Sequence, residues 1–319
     1  MKMSRVKIFY LGLILVFNAL PASAEDLSNY QQNSLTGNWN GLRDELANKG
    51  INTDIVYKFD VMSNLSGGIK NGIRGFDNLD LMVTIDGEKL FNSQGTTVFL
   101  HLLNNNGGNP NEDLVGSAQG IDNIEVETTT AKLYQAWVEQ NLFDDKLSIL
   151  VGLYDLNSEF YVTDTSLLFL HPTYGIGTDM SQSGENGPSI FPTTSVATRV
   201  KFQATKELYI QAAALDAVPG NPNRPHGTHI DINRADGALL VGEVGYVPAD
   251  NDSKIALGSW YYTKKADDLF ATDSDDNPLK EHNKGTYIIG EKKLYKENNK
   301  SDKGLSGFIR LGFAAGLPH

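Results

Sequence analysis

The segment AKLYQAWVEQNLFDDKLSILVGLYDLNSE, residues 131–159, decides the fold. In its second half Leu147, Ile149, Val151 and Leu153 alternate with Lys146, Ser148, Leu150, Gly152 and Tyr154. That period of two is the mark of a strand with one apolar and one mixed face. The first half repeats it, with Tyr134, Ala136 and Val138 set against Gln135, Trp137 and Glu139. Asp144 and Asp145 fall between the halves, where an antiparallel chain reverses. The result is a hairpin whose arms run to about ten residues, longer than the usual five or six. Strands of that length form a wall built to a fixed height, such as a membrane imposes.

Working outward, the chain opens with Lys2, Arg5 and Lys7, an apolar run from Ile8 to Phe17, and Ala22-Ser23-Ala24. This is the pattern of a secretory signal, with cleavage expected after Ala24. Removing three bases and no acid takes the formal charge from -12 to -15, and so acidic a chain offers no basic stripe for nucleic acid. After Phe17 no apolar run reaches the roughly 18 residues a membrane helix needs. Barrel strands escape that test, because they alternate lipid-facing and lumen-facing residues and keep an ordinary mean hydropathy, here -0.29. With no cysteine, an exported fold must hold by hydrogen-bonded ladder and packing alone. The 31 glycines suit the tight turns of an all-β protein.

Residues 25–50 read as a polar segment followed by one amphipathic helix within LTGNWNGLRDELANKGI, Leu35 to Ile51. Trp39, Leu42 and Leu46 share a face there, and Gly50 stands at the C′ position. From Ile51 the period switches to two. Strands are expected near residues 51–61, 76–86, 95–105, the two hairpin arms, 196–205, 207–216, 237–247, 254–263, 285–293 and 304–315, about eleven in all. Three connections, 104–130, 157–194 and 217–236, exceed what hairpins need, and long loops in compact domains carry function or are disordered. The second contains Leu167, Leu168, Phe169 and Leu170 together with Tyr161, Tyr174 and Phe191. It is expected to fold inward and pack.

Four dispersed segments resemble the carbohydrate-selective porin family of Gram-negative outer membranes. They are LTGNWNGLRDEL (35–46), VGSAQGIDNIE (115–125), VGLYDLNSEFYVTDTSLLF (151–169) and NGPSIFP (186–192), and they come in the family's order. The resemblance implies a transmembrane antiparallel β-barrel of about sixteen strands, wide enough for an aqueous channel. It also implies loops folded in to narrow that channel, passive uptake of glucose-like sugars, an outer-membrane location, and neither catalysis nor a cofactor. Barrels of this kind have even strand numbers. Because the chain ends at Gly316-Leu317-Pro318-His319, right after a strand-like segment, residues 51–319 read as a barrel domain incomplete at its C-terminus. Period-two alternation alone also fits a secreted or periplasmic β-sandwich, either a sugar binder or a glycosidase.

A channel for uncharged, hydroxyl-covered solutes should offer paired donors and acceptors beside aromatic faces. Strand parity nominates lumen positions, since Arg or Lys facing lipid at mid-bilayer costs about 2–4 kcal/mol. By that rule Arg199, Lys201 and Gln203 point inward, as do Gln135, Trp137, Glu139, His101, Gln211, Glu243 and Arg310. Such side chains either meet sugar or only wet and stitch the wall. In the infolded loop Asp155, Asn157, Glu159 and Asp164 are constriction candidates, with Arg199 their charge partner across the opening, or else they brace the loop itself. His226 and His229 have metal-like spacing without a third ligand. Asp273, Asp275 and Asn277 begin like a calcium loop, but Pro278 stands where glycine is required. The partners expected are therefore mono- or oligosaccharides and outer-membrane lipid, with no nucleic acid and no metal; the sequence leaves the oligomeric state open.

Overall fold

A computed structural model of the chain describes residues 33–275, 277–297 and 303–315. The expected signal, residues 1–24, the polar stretch 25–32 and the terminal residues 316–319 lie outside it. Among the described residues eleven strands form one sheet, hydrogen-bonded in chain order. They are β1 (Ile51–Asn64), β2 (Gly72–Asp86), β3 (Thr96–Gly107), β4 (Ala131–Leu142), β5 (Leu147–Tyr154) and β6 (Ser195–Gln203), then β7 (Leu208–Asp216), β8 (Ala238–Tyr246), β9 (Ser253–Thr272), β10 (Pro278–Lys296) and β11 (Gly304–Ala315). Helices are short: α1 (Leu42–Asn48), α2 (Gly87–Phe91) and α3 (Thr178–Ser181). The chain divides into two compact units, one up to Val138 with His226–Thr228, the other Glu139–Pro225 with His229 onward.

In the first unit β1 pairs antiparallel with β2 from Ile51↔Ile85 to Asn64↔Gly72, and β2 with β3. Burial is inverted relative to a soluble sheet. Ile55, Tyr57, Phe59 and Val61 are exposed along β1, while Asp60, Asn78, Asp80, His101 and Asn105 are buried on the opposite face. Buried polar groups and a row of exposed large apolar ones are the informative departures from ordinary burial, and together they describe a wall with lipid outside and a polar lumen inside.

The expected helix over 35–51 shrinks to α1, because Trp39, Asn40 and Gly41 all adopt positive φ (54°, 56° and 93°), a conformation no α-helix passes through. Its buried residues are Arg43 and Ala47, with Leu42 exposed. Arg43 donates through its Nη atoms to the Thr53 and Gly37 carbonyls and to Ser34 Oγ. Gly50 at φ 88° closes the helix as expected, and a Cβ there would lie 2.8 Å from Lys89.

In the second unit β5 to β11 pair antiparallel in succession. The turn before β5 bends through Phe143, Asp144 and Asp145, all at φ between 55° and 61°. Strands β9 and β10 run to 20 and 19 residues, well beyond the expected 254–263 and 285–293. Their extra length passes beyond the exposed apolar row of Ile255, Leu257 and Ile288, and is carried by charged residues such as Lys280 and Asp267, paired at 2.7 Å. No apolar alternation marks such a stretch. The core of this unit lies between the sheet's inner face and loop 155–194, where Leu156, Phe160, Tyr161 and Met180 pack with Leu215, Leu239, Trp260 and Tyr287, all nearly inaccessible. The loop does pack, but by these residues. Leu167 and Leu168 stay exposed, and Phe169 stacks on Tyr174 with ring centres 4.4 Å apart.

Candidate functional site

The inner face of the second unit is organised around Glu243 on β8, which is 2% exposed. Its carboxylate accepts from Tyr287 OH (2.6 Å), Tyr209 OH (2.8 Å), Gln211 Nε2 (3.0 Å) and the backbone N–H of Tyr161 in the loop (3.0 Å). The strand register explains the reach. Gln211, Glu243, Gly258 and Tyr287 lie in one cross-strand row, and Tyr209 faces Gly245. A Cβ at Gly258 or at Gly245 would sit 2.1 Å from the tyrosine ring beside it. Only glycine lets each phenol lie flat across the neighbouring strand and meet the carboxylate.

The same logic repeats along the loop. Glu291 accepts from the N–H groups of Asp164 (3.2 Å) and Thr165 (3.0 Å), and Lys254 donates to Val162 O (2.8 Å). Gln211 donates to Glu159 O (3.0 Å), and Arg310 to Thr173 O (2.6 Å) and Tyr174 O (2.9 Å). Tyr161 stacks on Tyr287 with centres 3.8 Å apart and planes 9° apart, and the Arg310 guanidinium stands 5.0 Å from its ring centre. Strand side chains thus satisfy main-chain groups that an infolded loop would otherwise bury unpaired, a cost of about 1–3 kcal/mol each.

At the root of the loop Glu159 accepts from Arg199 Nε (2.7 Å) and Tyr154 OH (2.7 Å), with Lys201 at 3.4 Å. Arg199 Nη2 meets Glu139 at 2.7 Å and Nη1 donates to Ser148 Oγ, which itself donates to Glu139. Arg199 is therefore spent on the wall and on the adjoining loop root, and its side chain is 3% exposed. Lys201 keeps a third of its surface and lies 5.4 Å from the Tyr209 ring centre. Asp155 caps a single turn by accepting from Asn157 N (2.9 Å), and Asn157 donates to Phe160 O and Gly175 O. Asp164 is exposed. Glu159, Asp164, Lys201, Tyr209, Gln211 and Lys254 line a cavity of about 520 Å³.

His101, Gln135 and Trp137 belong to the first unit. His101 Nε2 lies 2.9 Å from Asp80, which also binds Lys58 at 2.9 Å. Trp137 donates to Gln135 Oε1 (3.2 Å) and stacks on Phe99 with centres 5.0 Å apart. Phe99 escaped the sequence reading, although it shares His101's parity. Tyr134 and Gln135 are both buried, so the alternation slips by one residue within β4. In the loop 108–130 Glu125 accepts from the N–H groups of Asn111 (3.2 Å), Ile121 (2.6 Å) and Asp122 (3.3 Å). Burial pushes the Asp122 carboxyl up to about 7; the neighbouring Asp60 and Glu125 carboxylates add to that, against the Ile124 N–H.

One sheet with apolar residues outside and a hydrogen-bonded polar face inside, narrowed by a loop that its strands grip, defines an outer-membrane diffusion channel. Residues 70–317 match the family described as carbohydrate-selective porin, OprB family, and the chain belongs to that family. Porin B of Pseudomonas aeruginosa is 26% identical over 95% of this chain and 70% of its own length. A protein named putative porin QuiX from Acinetobacter baylyi is 22% identical over 93% of this chain and 70% of its own. Among solved structures, the high-pH form of Pseudomonas putida OprB superimposes with a TM-score of 0.75 at 21% identity, covering 89% of this chain and 71% of that one. Its low-pH form gives 0.56 at 19% identity, covering 89% and 73%. The expectation of a barrel-type carbohydrate porin in the Gram-negative outer membrane holds, and the sandwich alternative, which needs two facing sheets, gives way to one sheet among the described residues.

Proposed function

We propose that the chain passes neutral, glucose-sized sugars, and that loop 155–194 sets the width and polarity of the path. The observation that carries this is the capture of the loop's main chain by Glu243, Glu291, Gln211, Lys254 and Arg310. A loop tied at so many backbone groups is part of the wall. In this reading Glu159, Asp164 and Lys201 present donors and acceptors to the solute, while Arg199, Glu139, Asp155 and Asn157 hold those groups in place. Phe99 and Trp137 supply a flat apolar face of the kind a sugar ring rests on, beside the polar Gln135 and His101.

Arg199, Lys201, Glu139 and Glu159 at the root of the loop are paired with one another, so a neutral solute passes them without leaving those ions uncompensated. The sugar leaves as it came in, with no bond made or broken. Residues 1–24 act as the export signal, 25–50 comprise the polar segment and α1, and 51–319 form the barrel domain, whose outward rows of Ile, Leu, Val and Phe meet lipid. Liposome swelling tests the reading. Glucose should enter faster than a disaccharide and faster than gluconate, which carries a charge. Absence of glucose flux overturns it.

A further inference from the structure

At the end of the second unit that carries loops 155–194 and 217–237 there is a separate cavity of about 310 Å³, lined among others by Ala217, Val218, Asp236, Tyr262, Lys264 and Asn283. Long loops mark the external end of barrels of this type. Asn283 keeps the inward parity of the buried Tyr287 and Ile289 on β10, beside a shift in the β9–β10 register between His282 and Lys284. The residue is 1% exposed, and neither its Oδ1 nor its Nδ2 has a hydrogen-bond partner in the protein. A buried carboxamide with both its acceptor and its donors unspent is costly to keep. Asn283 lines this cavity with its carboxamide unspent.

The lining says what class of ligand fits. Lys264 is paired with Glu185 at 3.1 Å and Asp236 at 3.9 Å, and Lys280 with Asp267 at 2.7 Å. With Lys265 the lining sets three lysines, Lys264, Lys265 and Lys280, against three carboxylates, Glu185, Asp236 and Asp267, so its formal charges balance and favour a neutral ligand. Tyr262 is held against the end of loop 155–194, where Ser183 Oγ donates to its hydroxyl at 3.3 Å and Gly184, at φ 75°, would place a Cβ 2.5 Å from that oxygen. Val218 and Ala217 supply apolar surface. The volume is near the low end of the roughly 300–1,000 Å³ that ligand pockets span, which suits one ring and not a chain of them.

We propose that this cavity is an outer subsite for a single neutral pyranose, whose neighbouring hydroxyls give one hydrogen bond to Asn283 Oδ1 and take one from Nδ2. The inference rests on the porin reading and deepens it: the chain concentrates sugar at its external end before the neck. A flux that begins at such a site saturates with sugar concentration, and the half-saturating concentration reports the subsite.

The test is glucose uptake into proteoliposomes across a wide concentration range, with the whole chain and with Asn283→Ala and Val218→Trp. Asn283→Ala removes both hydrogen bonds, and Val218→Trp fills the cavity from another wall. Both should raise the half-saturating glucose concentration about tenfold, as loss of one or two such bonds implies, and leave the maximal rate within about twofold. Unchanged half-saturation in either variant overturns the subsite while sugar flux itself leaves the porin reading standing. No flux through the unsubstituted chain overturns both. Retention of the heat-resistant folded band on gels shows that each variant is folded.

Discussion

Two of the three long loops are held differently. Loop 155–194 gives its backbone to the sheet: Tyr161 N to Glu243, Asp164 and Thr165 N to Glu291, and the Thr173 and Tyr174 carbonyls to Arg310. Loop 108–130 is braced largely from within, with Glu125 collecting three of its own N–H groups. Its ties to the rest of the first unit include Leu114 O, which accepts from Ile69 N, Lys70 N and Asn64 Nδ2 at the neighbouring turn, Gly108 N, which donates to Gly75 O, and Asp113, which accepts from Arg74 Nε. A loop gripped through its main chain keeps its place whatever its outward side chains are, so those are free to set selectivity. A self-braced loop keeps its shape without fixing the path beneath it.

The largest effect should come from cutting the grip at the root of loop 155–194. Arg199→Met takes a buried guanidinium from the half-buried Glu139 and Glu159 and leaves Glu159 with Lys201 at 3.4 Å; breaking a fully buried pair costs about 3–5 kcal/mol, an upper bound for this change. The temperature at which the folded band is lost on gels should fall markedly. A smaller and local effect is expected from Glu125→Ala, which removes the acceptor of three N–H groups. Proteolysis should then begin within residues 108–130 while the folded band survives. If loop 155–194 is cut as readily, the two loops do not differ as described.

The smallest effect is one of pH. The Asp122 carboxyl lies above its ordinary range in the folded chain, pushed up to about 7, so the folded state binds the proton more tightly than the unfolded one. Its contribution is fully present below the ordinary carboxylate value and is lost as pH rises from there through about 7. Amide exchange in 108–130, corrected for intrinsic rates, should be slower at pH 5 than at pH 8. Asp122→Asn should flatten that difference.

Much of this could be read in the sequence, because alternation is a strong code. It located the strands, set Arg199, Gln211, Glu243 and Arg310 on the inner face, and marked loop 155–194 as infolding. It ran short where the signal is not periodic. The charged extensions of β9 and β10 carry no apolar alternation. The helix was overextended because Trp39 and Leu42 have the right spacing, while the left-handed turn at Trp39, Asn40 and Gly41 stops it. That Glu243 and Glu291 hold loop backbone was not legible either. Which main-chain N–H meets a wall carboxylate depends on the loop's path, and no side chain in the loop records it.

The most direct test of the gripped loop is the size dependence of sugar flux in Glu243→Gln combined with Glu291→Gln. The amides keep the volume and weaken the acceptors for Tyr161, Asp164 and Thr165 N–H. Liposomes carrying this variant should admit a disaccharide and glucose at nearly equal rates, whereas the unsubstituted chain favours glucose. If the variant keeps the original preference, the loop is not positioned by these carboxylates and the account fails.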